Sequence, residues 1–150
     1  MLRILLVEDN PADAQMLQTA LRQAGEATEV ILMTNGVKAL EYLAGENRSS
    51  GRPCDLVLLD LNLPGLGGFD ILKHLRACED YNSLPVIVMS GSSDPMEVER
   101  CYRAGANSYI CKPTHLDDIL ATTAEFVAYW SHCVRLPSRG LLGSVVGFSR

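Results

Sequence analysis

The chain has 150 residues, 47% of them hydrophobic, which suffices for one buried core and is too little for two full domains. Thirteen Lys and Arg against 18 Asp and Glu give a net charge of −5 without any basic block, which argues against a nucleic-acid surface. Five scattered cysteines without a C-x-x-C pair argue against a disulfide scaffold or a zinc site. The N-terminal apolar run ends at Glu8, too early for a signal peptide or a membrane span, so we expect a cytoplasmic protein with reduced thiols.

Five short apolar runs, taken in chain order, predict five β-strands. They lie at residues 4–7, 29–33, 56–59, 86–89 and 108–110. The runs are apolar almost throughout and do not alternate between apolar and polar residues. This pattern is typical of strands in a parallel sheet that helices cover on both faces.

Three segments between or after these runs have residues that begin helices. Asn10, Asp94 and Thr114 can each accept a hydrogen bond from the first helical amides, and a carboxylate follows each of them three residues later. The last helix carries a stripe predicted to face the core, formed by Leu116, Ile119, Leu120, Thr123, Phe126, Val127 and Trp130. Strands that alternate with helical crossovers predict a right-handed, doubly wound α/β fold.

Two stretches do not fit this alternation. Residues 46–53 are polar and predict a surface loop between the second helix and the third strand. Residues 137–150 mix glycines with apolar side chains, a composition that fits neither a solvated linker nor a helix. We therefore expect one domain at residues 1–136 and a C-terminal tail at residues 137–150 that is either disordered or part of an interface.

Polar side chains stand where four of the predicted strands end. Glu8 and Asp9 end the first strand, Asp60 the third and Ser90 the fourth, and Lys112 follows the fifth. In an open parallel sheet, ligands bind beyond the carboxyl ends of the strands, where the strand order reverses. We therefore expect these five side chains to converge on one edge of the sheet.

Three carboxylates close together disfavour their own ionisation unless a cation neutralises them. Mg²⁺ suits such oxygen ligands and usually keeps several waters. We expect Asp9, Asp60 and the backbone carbonyl of Asn62 to bind the ion, and Glu8 to act through a water molecule. Lys112 and Ser90 would then face phosphoryl oxygens that arrive on Asp60, and phosphoryl transfer depends mainly on such positioning and charge.

Four segments of the chain carry a resemblance to a known family. They are LLVEDNPAD, LVLLDLNLPGLGG, VIVMSGS and ANSYICKP, and they agree with the family in residue type, order and spacing. Over residues 2 to 131 the chain resembles the receiver domains of bacterial response regulators, which are related to the chemotaxis protein CheY. The resemblance implies a CheY-like, flavodoxin-like fold in which a five-stranded parallel sheet of order 2-1-3-4-5 is flanked by five helices.

The resemblance also implies roles for single residues. Asp60 would be the phosphoacceptor for a histidine kinase, assisted by Lys112 and Ser90. Ser90 and Tyr109 would form the switch pair, and the Lys112–Pro113 peptide bond would be cis. The chain would then be a switch in a phosphorelay, not an enzyme.

The ending FVAYWSHCVRLP and the longer loop at residues 46–53 resemble single-domain regulators that pair with phytochrome-type histidine kinases. Apolar residues near the end of the last helix, including Tyr129 and Trp130, predict a surface for a homodimer or for the kinase.

Three other classes are weighed against the switch. A phosphatase of the aspartyl-phosphate type would need an acid where Asn62 stands. A flavodoxin-like cofactor binder would need a phosphate-binding loop after the first strand, where Glu8 and Asp9 would repel phosphate. A DNA-binding regulator would need a second module, and 13 residues after Pro137 are too few for one. We therefore expect the signal to leave through protein contacts, without nucleic acid or membrane.

Overall fold

The computed structural model describes residues 1–25, 27–45 and 51–138. Its centre is a sheet of five parallel strands in the order β2-β1-β3-β4-β5. The strands are β1 (Leu2–Val7), β2 (Thr28–Met33), β3 (Leu56–Asp60), β4 (Val86–Ser90) and β5 (Ser108–Cys111). The predicted fold class and strand order are confirmed.

Five helices lie between and after these strands, as predicted. They are α1 (Pro11–Ala24), α2 (Gly36–Ala44), α3 (Gly68–Ala77), α4 (Pro95–Arg103) and α5 (Leu116–Ala128). A π-helical turn at Tyr129–Cys133 extends α5.

The helices divide the core into two layers. One layer packs α2, α3 and α4 against strand residues such as Leu59 and Val88, and the other packs α1 and α5 against their neighbours Leu58 and Ile87. Successive strand residues point to opposite faces, and both faces are covered, so both kinds of position must be apolar. This explains the unbroken apolar runs.

Burial of the two central strands fixes the site that follows them. Every residue of β3 and β4 is buried, including their last residues, Asp60 and Ser90. Each buried Leu, Val or Ile side chain contributes about 1.5–3 kcal/mol relative to an exposed one. Asp60 pairs with Met89 in the register of β3 and β4, which places Asp60 and Ser90 at the same edge of the sheet.

Two of the three predicted helix starts are confirmed. The Asn10 side chain accepts from the backbone N–H groups of Ala12 and Asp13, at 3.0 and 3.1 Å, and Asp94 accepts from Met96 at 3.0 Å.

The predicted start of α5 is wrong. The cap position is His115, without a side-chain hydrogen bond, and the helix begins at Leu116. Thr114 therefore lies one residue too early to cap the first amides.

The stripe along α5 is narrower than predicted. Ile119, Thr123, Phe126 and Val127 are buried, whereas Leu116 is 57% exposed and Leu120 is 37% exposed. The apolar pattern is wider than the part of the helix that contacts the core, so the assignment of these two leucines to the core was wrong.

The second half of the predicted surface loop packs against the protein. Arg52 is buried, and its guanidinium donates to the carbonyl oxygen of Asp80 at 3.1 Å and to the Ser83 hydroxyl. Residues 46–50 of this loop and residues 139–150 of the tail lie outside the described residues.

All five cysteines are reduced, as predicted. Within the described ranges, no helix combines the length and the apolar character that crossing a membrane requires.

Candidate functional site

Three acidic residues meet where β1 and β3 end. Oxygen atoms from Glu8, Asp9 and Asp60 lie within 4.8 Å of one another. Glu8 is 1% exposed and Asp60 is 5% exposed, while Asp9 is half-buried. The convergence of these carboxylates, expected from strand order alone, is therefore present in the structure.

Lys112 supplies the positive charge at this cluster. Its Nζ lies 2.6 Å from Glu8 Oε2, 3.5 Å from Asp60 Oδ2 and 3.6 Å from Asp13 Oδ2. The backbone N–H of Lys112 donates to the carbonyl oxygen of Ser90 at 2.7 Å, which holds the start of the side chain beside β4. The ammonium therefore bridges carboxylates that follow β1, begin α1 and end β3.

Asp13 is a member of this group that the sequence analysis missed. It lies in the first turn of α1, which Asn10 caps, and its Oδ2 is 3.6 Å from Lys112 Nζ. The signal in the sequence was its position three residues after the Asn10 cap, in the first turn of a helix that begins beside the end of β1.

The charges shift the protonation of two groups. Burial and the negative charge of Asp60 raise the pKa of Glu8, and together they outweigh the attraction of Lys112. Burial alone would lower the pKa of Lys112, but the hydrogen bond to Glu8 and the charges of Asp60, Glu8 and Asp13 raise it overall. Lys112 is thus held as a cation among carboxylates that it neutralises only in part.

The donor set fits a hard divalent cation. Carboxylate oxygens are the ligands that Mg²⁺ prefers, and the negative charge that Lys112 leaves uncompensated would attract it. Glu8 Oε2 is only 2.6 Å from Lys112 Nζ, whereas Asp60 Oδ2 is 3.5 Å from it, so the ammonium engages Glu8 more closely than Asp60. Asp9 and Asp60 are therefore the carboxylates better placed for direct coordination.

Asn62 lies beside Asp60 through its backbone. Its N–H donates to Asp60 Oδ1 at 3.3 Å, and its side chain is exposed. The structure shows this N–H contact, whereas the predicted coordination by the Asn62 carbonyl stays a prediction.

Ser90 and Tyr109 are connected through the peptide groups of Ser92. The Ser90 hydroxyl, which is fully buried, accepts from the backbone N–H of Ser92 at 3.3 Å. The Tyr109 hydroxyl donates to the carbonyl oxygen of Ser92 at 2.7 Å. The two predicted switch residues therefore contact the same residue in the loop between β4 and α4.

The Tyr109 ring lies inward in this structure. It is half-buried and packs against the core layer of α2, α3 and α4. Burial raises the pKa of the Tyr109 phenol, so the hydroxyl is protonated and able to donate at neutral pH.

Glu97 is a second residue that the sequence analysis did not assign to the site. Glu97 lies in the first turn of α4, and its Oε1 accepts from the Ser90 hydroxyl at 3.4 Å. The only sequence signal was its place three residues after the helix cap at Asp94, and that signal concerned the helix start.

The expected cis bond between Lys112 and Pro113 is wrong for this structure. None of the peptide bonds in the described ranges is cis. Both isomers are accessible to an X–Pro bond, because its tertiary amide has only a weak preference for trans, so local sequence does not fix the isomer.

Comparisons with known proteins agree with this geometry. The response regulator receiver domain family matches residues 4–124. Response regulator Rcp1 of Synechocystis is 34% identical to this chain, over 90% of the chain and 92% of Rcp1.

Two solved structures extend the likeness to the fold. The phosphorylated cyanobacterial phytochrome response regulator RcpA has a TM-score of 0.82 at 33% identity, covering 91% of this chain and 98% of the RcpA chain. The Mn²⁺-bound form of Rcp1 has a TM-score of 0.81 at 32% identity, covering 92% of this chain and 100% of the Rcp1 chain.

The family match spans most of the chain, and the resemblance found in the sequence is confirmed. Receiver domains are signalling proteins of two-component systems with an acidic site for a divalent cation, in agreement with the cluster at Asp60. The chain belongs to the response regulator receiver domain family.

Proposed function

We propose that this protein is a single-domain response regulator that accepts a phosphoryl group on Asp60 from a histidine kinase. One observation carries the proposal: a nearly buried carboxylate ends a central strand, with two further acids within 4.8 Å and the Lys112 ammonium at 3.5 Å. Burying a carboxylate lowers the stability of the fold, and a role for Asp60 as the nucleophile of the site explains why it is buried there.

The chemical step is an in-line transfer of the phosphoryl group. An Asp60 carboxylate oxygen attacks phosphorus, the phosphorus–nitrogen bond of the kinase phosphohistidine breaks, and its electron pair stays on the imidazole nitrogen. Lys112 is placed to neutralise phosphoryl oxygens during the transfer, a task that is mainly electrostatic.

We assign the metal at this site as Mg²⁺, held by Asp9, Asp60 and the Asn62 carbonyl, with Glu8 acting through water. The donor set supports this assignment, and so does the solved Mn²⁺-bound form of the relative Rcp1. When bound, the ion supplies positive charge beside the phosphoryl oxygens.

Phosphorylation would be read by Ser90 and Tyr109. The phosphoryl group brings about two negative charges to Asp60, which attract the Ser90 hydroxyl. Because Ser90 and Tyr109 both contact Ser92, movement of the Ser90 hydroxyl changes the loop that also holds the Tyr109 phenol. The event would bias two pre-existing arrangements of the face formed by α4, β5 and α5.

We further propose a phytochrome-type kinase as the phosphodonor. The support is that RcpA, at 33% identity, is a phytochrome response regulator. The net charge of −5 supports a protein partner, not a nucleic acid. In this assignment residues 1–136 form the receiver domain and residues 137–150 its tail.

A homodimer through the end of α5 is the second part of the partner proposal. Tyr129 is 55% exposed, and a groove of about 700 Å³ beside it is lined by Tyr102, Ile110, Phe126 and Trp130. Trp130 and Leu136 also pack against the core layer of α1 and α5, so part of the predicted surface is used within the chain.

Intact-protein mass spectrometry after incubation with acetyl phosphate tests the acceptor. We expect one phosphoryl adduct in the wild type with Mg²⁺, none without it, and none in Asp60→Asn. Asp70→Asn, at an exposed acid in the first turn of α3, is the matched control and should label like the wild type. Labelling of Asp60→Asn at the wild-type level would overturn the assignment.

Light scattering after size-exclusion chromatography tests the dimer. We expect Tyr129→Asp to shift the wild-type dimer toward monomer. The control is Val37→Asp, at an equally exposed position on α2. A monomeric wild type, unphosphorylated and phosphorylated, would contradict this part of the proposal.

A further inference from the structure

The buried Ser90 hydroxyl has an acceptor other than Asp60. A buried hydroxyl requires hydrogen-bond partners, and the Ser90 hydroxyl has the backbone N–H of Ser92 as donor and the carboxylate of Glu97 as acceptor. A hydroxyl carries one proton, so it can donate to Glu97 or to a group on Asp60 but not fully to both.

The start of α4 fixes the position of Glu97. Asp94 caps the helix through the N–H of Met96, and the N–H of Val98 donates to the Asp94 carbonyl oxygen at 3.1 Å. Glu97 lies between Met96 and Val98 and is half-buried, and its hydrogen bond with Ser90 holds its carboxylate against the end of β4. A hydrogen bond to a charged acceptor is stronger than one to a neutral acceptor.

Glu97 also acts on the second switch residue. After burial, its negative charge is a further cause that raises the pKa of the Tyr109 phenol. Glu97, on the helix whose movement would transmit the signal, therefore acts on Ser90 through a hydrogen bond and on Tyr109 through its charge.

We infer that Glu97 is a positioning residue that competes with the phosphorylated Asp60 for the Ser90 hydroxyl and thereby opposes switching. The inference rests on the proposed function and names the contact that phosphorylation must break. Release of the hydroxyl would also free the first turn of α4 from β4, which gives the phosphoryl group a direct path to that helix.

Binding of beryllofluoride, a phosphoryl mimic, in the presence of Mg²⁺ tests the inference by fluorine NMR titration. We expect Glu97→Ala to tighten binding by about 3- to 10-fold, the effect of one lost competing hydrogen bond. Glu97→Gln, which keeps an acceptor without the charge, should tighten binding less. The matched control is Glu99→Ala, which removes an exposed carboxylate on the same helix. Glu99 pairs with Arg103 at the surface, so this variant should change beryllofluoride binding less than 2-fold, about 0.4 kcal/mol.

A second background separates the hydrogen bond from a general charge effect. In Ser90→Ala there is no hydroxyl to compete for, so adding Glu97→Ala should change beryllofluoride binding no more than Glu99→Ala does. Equal tightening in both backgrounds would show that the carboxylate acts only through its charge and would overturn the inference. If the wild type binds the mimic and Glu97→Ala binds it no better, the inference alone is wrong. If the wild type does not bind the mimic with Mg²⁺, the proposed function is wrong and the inference falls with it.

Discussion

A Cβ atom on Gly68 would lie 2.1 Å from the backbone carbonyl oxygen of Asp60 and 2.8 Å from Cα of Leu61. Only glycine fits here, because the loop after β3 folds back until α3 begins directly against the backbone of the acceptor residue. The same approach allows the N–H of Gly68 to donate to the Leu61 carbonyl oxygen at 3.2 Å.

Gly68→Ala should therefore move the backbone of Asp60 and destabilise the protein. Forcing a methyl group into a packed position costs about 1–3 kcal/mol, which urea denaturation would measure. Labelling by acetyl phosphate should fall in parallel. Gly91→Ala is the matched control, since a Cβ on Gly91 meets nothing within 4 Å, and equal losses in both variants would contradict this explanation.

Arg76 joins the loop before β4 to the loop before β5. Its half-buried guanidinium donates five hydrogen bonds at 2.8–3.3 Å, to the carbonyl oxygens of Tyr81, Asn82, Leu84 and Gly105 and to Asn107 Oδ1. Arg76→Met should lower the free energy of unfolding by about 2–4 kcal/mol, because the part-buried carbonyl oxygens of Tyr81, Leu84 and Gly105 would lose this donor.

The comparison for Arg76 is Arg103→Met on α4. Arg103 pairs with Glu99 four residues away on an exposed surface, and such pairs contribute about 0.5 kcal/mol or less. Differential scanning calorimetry of the two variants would separate a structural arginine from a surface one. A similar change in melting temperature for both would refute the role assigned to Arg76.

The sheet and the acids at its edge could be predicted because both follow from local pattern. Unbroken apolar runs identify buried parallel strands, and residues that end such strands must meet at one edge. In this way Asp60 and Lys112, which are 52 positions apart in the chain, were assigned to one site.

Asp13 and Glu97 were not assigned to the site because helix starts, not strand ends, bring them there. Their contacts depend on where α1 and α4 begin and on how each side chain turns, which the apolar pattern does not encode. The exposed leucines of α5 illustrate the same limit, because a stripe shows which face of a helix is apolar but not how much of it the core covers.

Lys112→Gln should have opposite effects on stability and on metal binding. Without Mg²⁺, loss of the ammonium leaves Glu8 and Asp60 unpaired and should cost about 3 kcal/mol in unfolding free energy. The Mg²⁺ association constant should rise about 10-fold, because the Lys112 ammonium, 3.5 Å from Asp60 Oδ2, no longer repels a second cation at this partly buried site. Calorimetric Mg²⁺ titration and urea denaturation measure the two effects.

Lys38→Gln provides the control for charge alone, because Lys38 is exposed on α2. Lys38→Gln should change neither the Mg²⁺ association constant nor the unfolding free energy appreciably. Unchanged or weaker Mg²⁺ binding in Lys112→Gln would mean that the lysine does not compete for the carboxylates.

The raised pKa of Glu8 predicts a specific dependence of stability on pH. A carboxyl whose folded pKa lies above its unfolded value near 4.5 binds its proton more tightly in the folded state. In the metal-free protein, the contribution of Glu8 to stability is therefore present below pH 4.5 and is lost as the pH rises through the folded pKa. Burial is the main cause, because it penalises the ionised form.

Glu8→Gln removes the titration of Glu8, while carboxylates remote from the site titrate alike in both proteins. Without Mg²⁺, the unfolding free energy of Glu8→Gln minus that of the wild type should increase as the pH rises from 4.5. With Mg²⁺ in excess the increase should shrink, because a bound cation favours the ionised carboxylate and stabilises only the folded state, by about 2.7 kcal/mol at 100 times its dissociation constant. Urea denaturation of both proteins across this pH range measures the difference in unfolding free energy. If that difference falls as the pH rises in the metal-free proteins, the attraction of Lys112 outweighs the cost of burying Glu8.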